Sequence, residues 1–227
     1  MGFLHIASLL VVSYFIGATP NGWMVIKLKT GKDIREVESG RTGGTNAARA
    51  GGMSAGAVTG ILDFFKGAIP VWLALWAGHQ YDWVAVACPL LAILGHNYSI
   101  FLAERDENGR LHLKGGAGGA TCMGGAFALW PPSLLIIGPV SMGILFGLGY
   151  ASVATMSMAF SAIIIFAVRA LVGVSPPIYV LYGVFAELLL MWALRPNIKR
   201  LAQGTERVLE FSLRAKLRKR PHQENHV

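Results

Sequence analysis

Charge and cysteine are both scarce in this sequence. Of its 227 residues only 14% are charged, against 54% hydrophobic, and each polar segment is too short to bury a core of its own. A separate soluble domain is therefore excluded. The two cysteines, Cys88 and Cys122, fall in apolar or glycine-rich segments, where they read as small core residues, and no disulfide is expected. No group of Cys, His and carboxylates has metal-ligand spacing, so neither a metal nor any other cofactor is expected. The G-x-x-x-x-G-K-[ST] pattern is missing. The segment Lys114 to Thr121 lacks the last glycine of G-x-G-x-x-G and has no βαβ context, and no His is followed by Asp five residues later. These absences exclude a P-loop enzyme, a dinucleotide-binding fold and the His/Asp acyltransferase arrangement.

What the chain has is apolar length. Runs of about 18 or more apolar residues read as bilayer spans. The pattern predicts an all-α, polytopic membrane protein, a single integral domain of about seven transmembrane helices. The expected spans are 3–26, 53–78, 83–102, 117–130, 134–149, 153–172 and 178–194, followed by a basic tail over 195–227. The first run lacks a positively charged lead and is too long for a signal-peptide core, so it reads as a retained span. Pro20 and Gly22 interrupt its last turns, and the span at 117–130 is short. A brief outer loop, His79 to Asp82, separates the second and third spans. Within the polar stretch Ala103 to Leu113, the pair Asn108-Gly109 predicts a small hairpin.

The net charge of +8 matters less than its placement. Six Lys and Arg lie between Lys27 and Arg49, three between Arg105 and Lys114, and nine from Arg195 onward, leaving only Lys66 and Arg169 elsewhere. Basic clusters at the ends of apolar spans follow the positive-inside rule, and nucleic acid is not an expected partner. Seven spans with the N-terminus outside put all three clusters, and the C-terminus, in the cytoplasm.

Three polar segments then share one face of the membrane. The first, Ser39 to Asn46 with Arg49 beyond it, offers small residues, neutral donors and a planar guanidinium suited to phosphate. The second, Lys114 to Thr121, is glycine-rich and opens a helix, whose free N–H groups favour an anion. The third runs from Arg195 to Glu206. Taken singly, each has a plainer reading: glycines that let helices pack closely, and basic residues that meet anionic lipid. Together they point to a site for phosphorylated substrates at the membrane surface. Asp63 and Lys66, three residues apart within a span, read as a buried ion pair that fixes packing or as a wall of that site. His96 reads as a packing or hydrogen-bonding residue.

In order and spacing, these motifs resemble the bacterial acyl-phosphate:glycerol-3-phosphate acyltransferase (PlsY) family. The likeness runs over most of the chain: Gly17 and Pro20-Asn21-Gly22; Asp33-Ile34-Arg35; Ser39-Gly40, Gly43, Thr45-Asn46 and Arg49; Leu62-Asp63 with Lys66-Gly67 and Pro70-Val71; Gly95-His96; Lys114-Gly115-Gly116, Gly118 and Ala120-Thr121; Tyr150 and Ser152; Asn197-Ile198, Arg200-Leu201, Gly204 and Glu206. The resemblance implies transfer of a fatty acyl group from acyl phosphate to glycerol-3-phosphate in a bacterial inner membrane, with the site on the cytoplasmic side. By the same resemblance Ser39, Arg49 and Lys114 are the catalytic residues. Gly40, Gly43, Thr45, Asn46, Gly115, Gly116, Gly118, Thr121, Ser152 and Asn197 would bind substrate. Asp63, Lys66, His96 and Glu206 would support the site. Acyl phosphate, glycerol-3-phosphate and membrane lipids are the implied partners, with no obligate protein partner.

The chain also departs from the family pattern. Arg41, Thr42 and Gly44 replace three positions of S-G-N-I-G-A-T-N, Ala117 replaces the second Lys of K-G-G-K-G, and Gly149 stands where an Arg usually precedes the Tyr. Ala193 and Leu194 stand where Arg-His is usual, and Ala103 to Leu113 reads as an insertion. Arg41 and His112 are the residues available to compensate for the lost charge. The alternative reading is a non-catalytic relative that binds or transports a lipid or phosphate ester. Only Asp63, Lys66 and Glu187 offer the in-span charge that transport would need, which favours the enzyme.

Overall fold

The structure, a computed structural model, describes residues 2–78 and 81–219. His79 and Gln80 of the expected outer loop, and residues 220–227 of the expected tail, lie outside the described residues.

Proline and glycine decide where the helices stop. Helices α1 (Phe3–Ala18) and α2 (Asn21–Thr30) together form one apolar run of 28 residues. It breaks at Pro20, which has no N–H to continue the ladder and whose ring crowds the preceding turn. The break leaves carbonyls that lipid cannot satisfy. Side chains from later in the chain take them: Ser99 Oγ donates to the Ala18 carbonyl at 2.5 Å and Lys66 Nζ to the Thr19 carbonyl at 2.9 Å.

After the first loop, the short α3 (Gly44–Gly51) turns at Gly52 into α4 (Met53–Gly78). Asp63 and Lys66 lie on one face of α4, as their spacing requires. Their charges are 3.0 Å apart, with side chains only 2% and 5% exposed. Asp63 Oδ1 also accepts from Asn21 Nδ2 at 3.2 Å, immediately beyond the Pro20 break.

Helix α5 (Asp82–Asn97) leads to the expected hairpin, β1 (Ala103–Arg105) antiparallel to β2 (Leu111–Leu113), with Glu104 opposite His112. Asp106 holds its turn by accepting from the N–H groups of Asn108 (2.9 Å) and Arg110 (2.8 Å). Helix α6 (Gly119–Leu129) follows. It has 11 residues, about 16 Å, roughly half the hydrocarbon thickness of a bilayer. It starts at Gly118, in the left-handed conformation (φ 85°), and ends at the extended Trp130 before two prolines. The chain is completed by α7 (Leu134–Leu148), α8 (Ala151–Leu171), α9 (Tyr179–Ala202) and α10 (Leu213–Lys219).

The protein is thus an all-α polytopic membrane protein. Among the described residues, six helical runs are long and apolar enough to cross a bilayer, and α6 is an additional short apolar helix. Helix α9 continues past Leu194 to Ala202 with Pro196 inside it, so the first residues of the expected tail belong to this helix.

Missing side chains place α6 against α4. A Cβ on Gly67 of α4 would collide with the Thr121 backbone, and one on Gly124 of α6 with the Phe64 backbone. Gly17 of α1 lies as close to Ala92, and Gly95 of α5 to Tyr14. Lipid supplies no hydrophobic drive between helices, so close backbone approach and dispersion must hold them. Elsewhere Tyr182, Phe166, Ile93, Ile137 and Leu190 form a buried core, and the Tyr182 hydroxyl donates to the Cys122 carbonyl at 2.6 Å.

This packing makes stability testable at two points. Gly67→Ala should lower the thermal unfolding midpoint in detergent, reflecting about 1–3 kcal/mol of overpacking, whereas Gly143→Ala, which faces open space, should not. Lys66→Met alone should cost about 3–5 kcal/mol by stranding Asp63. The double variant Asp63→Asn/Lys66→Met should recover part of that loss in the same measurement, but not all, because the Thr19 carbonyl stays bare.

Candidate functional site

The three polar segments meet. A cavity of about 450 Å³ opens between the first loop, the start of α6, the start of α8 and the end of α9 with the segment after it. Ser39, Gly43, Thr45, Asn46 and Arg49 line it from the first loop and α3, and Gly118 from the second motif. Ser152 lines it from α8, and Asn197 and Glu206 from the third motif. Asp63 and His96 reach it from within the helices. A second cavity of about 310 Å³ shares Ser39, Arg41 and Pro196 with the first, and is lined by Gly40, Lys114, Gly115 and Gly116 together with Arg35 and Arg195. Of the expected site residues, Lys66 and Thr121 line neither. Lys66 is engaged by Asp63 and Thr19, and Thr121 is buried with its hydroxyl unpartnered where α6 presses on α4.

The first loop is held from two sides. Asp33 accepts the Arg35 N–H at 2.9 Å and the Trp23 indole N–H at 3.1 Å, and the Arg35 guanidinium reaches Asp33 (2.6 Å) and Glu104 of the hairpin (2.5 Å). Glu104 also holds the Lys114 ammonium at 2.5 Å. The expected catalytic lysine is thus paired with a carboxylate from the hairpin and lines the smaller cavity. From the other side, the Asn46 amide nitrogen approaches the carbonyls of Ile34 (3.2 Å), Val37 (2.9 Å) and Arg41 (2.9 Å). Asn46 therefore shapes the loop. Gly40 lets the chain turn there with φ 66°, and Ser39 Oγ accepts the Arg41 N–H at 3.4 Å.

The glycines after Lys114 serve close approach. The Gly116 N–H donates to the His96 carbonyl at 2.9 Å, the Gly115 carbonyl accepts from Thr42 at 3.3 Å, and a Cβ on either glycine would strike His96. The anion-favouring N–H groups thus lie a few residues on, in the first turn of α6, where Gly118, Gly119 and Ala120 line the larger cavity.

Glu206 ties the third motif together. Its Oε1 accepts from Ser152 Oγ (3.1 Å) and Asn197 Nδ2 (2.8 Å), its Oε2 accepts from Arg200 Nε (3.0 Å), and the side chain is 5% exposed. A carboxylate so engaged is a brace between α8 and α9.

The balance of charge gives the cavity its character. Three carboxylates line it, and each has a cationic partner: Asp63 with Lys66, Glu38 with Arg207, and Glu206 with Arg200. Arg41 and Arg49 have no carboxylate partner among the described residues, so two guanidiniums are left in surplus. The sequence reading missed the Glu38–Arg207 pair, which joins residues 169 apart, and the part played by Glu104. His112, one of the residues available to compensate for lost charge, is turned to Asp106 at 3.0 Å and lines neither cavity.

These features define a class, an integral membrane helical protein with a polar cavity of surplus positive charge where its helices end. A sequence profile for glycerol-3-phosphate acyltransferase matches residues 7–204. A glycerol-3-phosphate acyltransferase of Thermus thermophilus is 35% identical over 201 residues, 88% of this chain and 93% of that protein. That of Aquifex aeolicus is 34% identical over 199 residues, 87% of this chain and 96% of that protein. Among solved structures, PlsY (YgiH), an integral membrane glycerol 3-phosphate acyltransferase, matches in its glycerol 3-phosphate form with a TM-score of 0.76 at 32% identity, covering 90% of this chain and 96% of that one. The lysophosphatidic acid form matches with a TM-score of 0.75 at 30% identity, covering 91% and 96%. The chain belongs to the glycerol-3-phosphate acyltransferase family.

The link between loop and hairpin is pH-sensitive in a defined direction. Hydrogen bonding to Arg35 holds the Asp33 carboxyl well below its ordinary range, and Lys114, then Arg35, lowers that of Glu104. Carboxyls lowered by folding stabilise at pH above their unfolded values, about 4, and that stabilisation is lost as pH falls through the lowered values. Hydrogen-exchange protection over residues 33–37 and 103–114 should therefore be constant from neutral pH to about 4.5 and drop in stronger acid. In Glu104→Gln the protection of 103–114 should be low throughout.

Proposed function

We propose that this protein is a membrane acyltransferase that moves a fatty acyl group from acyl phosphate to the 1-hydroxyl of glycerol-3-phosphate, giving lysophosphatidic acid and inorganic phosphate. The observation that carries the reading is the surplus positive charge in a cavity that also receives the N-terminus of α6. Both proposed substrates are phosphate esters or anhydrides, and guanidinium and helix N–H groups suit them. Met158 and Leu194 add apolar wall to the same cavity, consistent with a donor whose tail lies among the helices.

Acyl phosphate is already activated, so the protein need supply no nucleophile of its own. The acceptor hydroxyl attacks the acyl carbon, a C–O ester bond forms, and the acyl carbon–phosphate oxygen bond breaks. The hydroxyl proton leaves with the released phosphate. Catalysis on this account is positioning and stabilisation of charge on the acyl oxygen and the departing phosphate. Ser39 and Arg49 are the residues proposed to polarise the reacting phosphate, with Thr45, Gly43 and Gly118 beside them. Glu206, through Ser152 and Asn197, keeps that wall in place. Lys114 would act from the smaller cavity, shared with Glu104.

The distribution of Lys and Arg supports an N-terminus outside, α6 as a seventh, short membrane element, and a site on the cytoplasmic face of a bacterial inner membrane.

The test is phosphate release from palmitoyl phosphate by the purified full chain, with and without glycerol-3-phosphate. Wild-type protein should release phosphate in an acceptor-dependent way and form lysophosphatidic acid. Ser39→Ala and Arg49→Ala should each lower kcat/KM at least about 100-fold, the scale of losing one charge-stabilising donor. Folded protein with no release above these variants would overturn the proposal and leave a binding or transport role on the same scaffold.

A further inference from the structure

Arg41 stands where the two cavities meet and lines both. The hydrogens on its Nη2 are engaged: this nitrogen lies 2.6 Å from the Ala193 carbonyl and 3.0 Å from Asn197 Oδ1. Its Nη1 and Nε hydrogens have no acceptor among the described residues, and no carboxylate there lies within ion-pair distance. Burial, and Arg200 nearby, push its pKa down from the ordinary value, yet a guanidinium keeps its proton in proteins. The side chain is only partly buried, and a guanidinium with free donors and no carboxylate partner at a cavity wall suits an anion such as phosphate.

Asn197 strengthens the argument. Arg41 holds its amide oxygen and Glu206 its amide nitrogen, so both ends of the side chain are already engaged. Asn197 is then a positioning residue, and the group it positions is the Arg41 guanidinium. The wall of α9 behind it, Ala193 and Leu194, brings no charge of its own. The guanidinium resting on these two residues comes from the first loop, 152 residues away in sequence, and joins Arg195 and Arg200 of α9 itself.

We infer that Arg41 is a phosphate ligand at the junction of the two cavities, shared between the phosphate that leaves the acyl donor and the phosphate carried by the acceptor. Its Nη1 and Nε take phosphate oxygens, while Nη2 anchors it to α9. The inference takes its two substrates from the acyltransferase reading, but its core, an Arg41-dependent phosphate site, needs no turnover to be tested.

The experiment uses the full chain in detergent. Inorganic phosphate and glycerol-3-phosphate are titrated by calorimetry into wild type, Arg41→Gln and Arg41→Lys, with thermal unfolding recorded for each. KM for each substrate, and inhibition by phosphate, are measured alongside. Wild type should bind both ligands. Arg41→Gln should weaken both about 10-fold or more, the value of one charged hydrogen bond, and raise both KM values. Arg41→Lys, which keeps the charge and loses the fork, should fall between. Should Arg41→Gln fail to fold, the Lys variant decides. Unchanged binding and KM in a folded variant, with kcat alone reduced, would show that Arg41 only supports α9 and would overturn the proposal. Weakening of one ligand alone would overturn the shared role. A wild type that binds phosphate through Arg41 yet transfers no acyl group would retain the phosphate site and refute the acyltransferase reading instead.

Discussion

Two opposite charges, Asp63 and Lys66, lie 3.0 Å apart inside a bundle of apolar helices, and both side chains are almost wholly withdrawn from solvent. Such a pair is tolerated only when the surrounding groups complete its hydrogen bonds, because desolvating two ions can cost more than their attraction returns. Here the completion comes from a break in another helix. Pro20 interrupts the first apolar run, the Thr19 carbonyl beside it accepts from Lys66, and Asn21 just after it donates to Asp63. The broken span and the charged span therefore satisfy each other. That lock fixes α4 beside α1 and α2. Immediately after Lys66, Gly67 lets α6 lie against α4, so the N-terminus of α6 reaches the cavity.

The site above this lock is assembled from helix ends and loops, and its order comes from polar cross-links. Glu206 joins α8 to α9, Asn46 gathers three carbonyls of the first loop, and Glu104 reaches from the hairpin to Arg35 and Lys114. With every cavity carboxylate engaged, the guanidiniums of Arg41 and Arg49 are what the cavity can offer a ligand. The departures from the family pattern are thus distributed: charge is absent from residues 193 and 194, and a guanidinium from the first loop rests on that wall instead.

Much of this was legible in the sequence. Apolar run length and the placement of Lys and Arg predicted a polytopic helical protein with its polar segments gathered together. Pro20 marked a break, Asn108-Gly109 marked a hairpin, and the spacing of Asp63 and Lys66 marked a pair. These are local signals, set by backbone chemistry or helical period within a few residues. The expected span stops at Leu194, where the basic residues begin, whereas the helix absorbs Pro196 and runs to Ala202. In Lys114-Gly115-Gly116, which read as an anion cradle, the Gly116 N–H is engaged by His96 and the Gly115 carbonyl by Thr42. Nothing in a glycine-rich run says whether the space it leaves is filled by ligand or by protein.

The sequence by itself determined that the chain lives in a membrane, where its helices run, and which residue types it brings to the polar face. These follow from hydrophobic length, period and charge, which are properties of neighbouring residues. Only the tertiary structure decided which charges cancel. Glu38 meets Arg207, Glu104 meets Lys114, and Arg41 meets a carbonyl and an amide across α9 without a carboxylate. The reason is physical: an ion pair is made by distance in space, and residues far apart along the chain have their separation set by the packing of every helix between them.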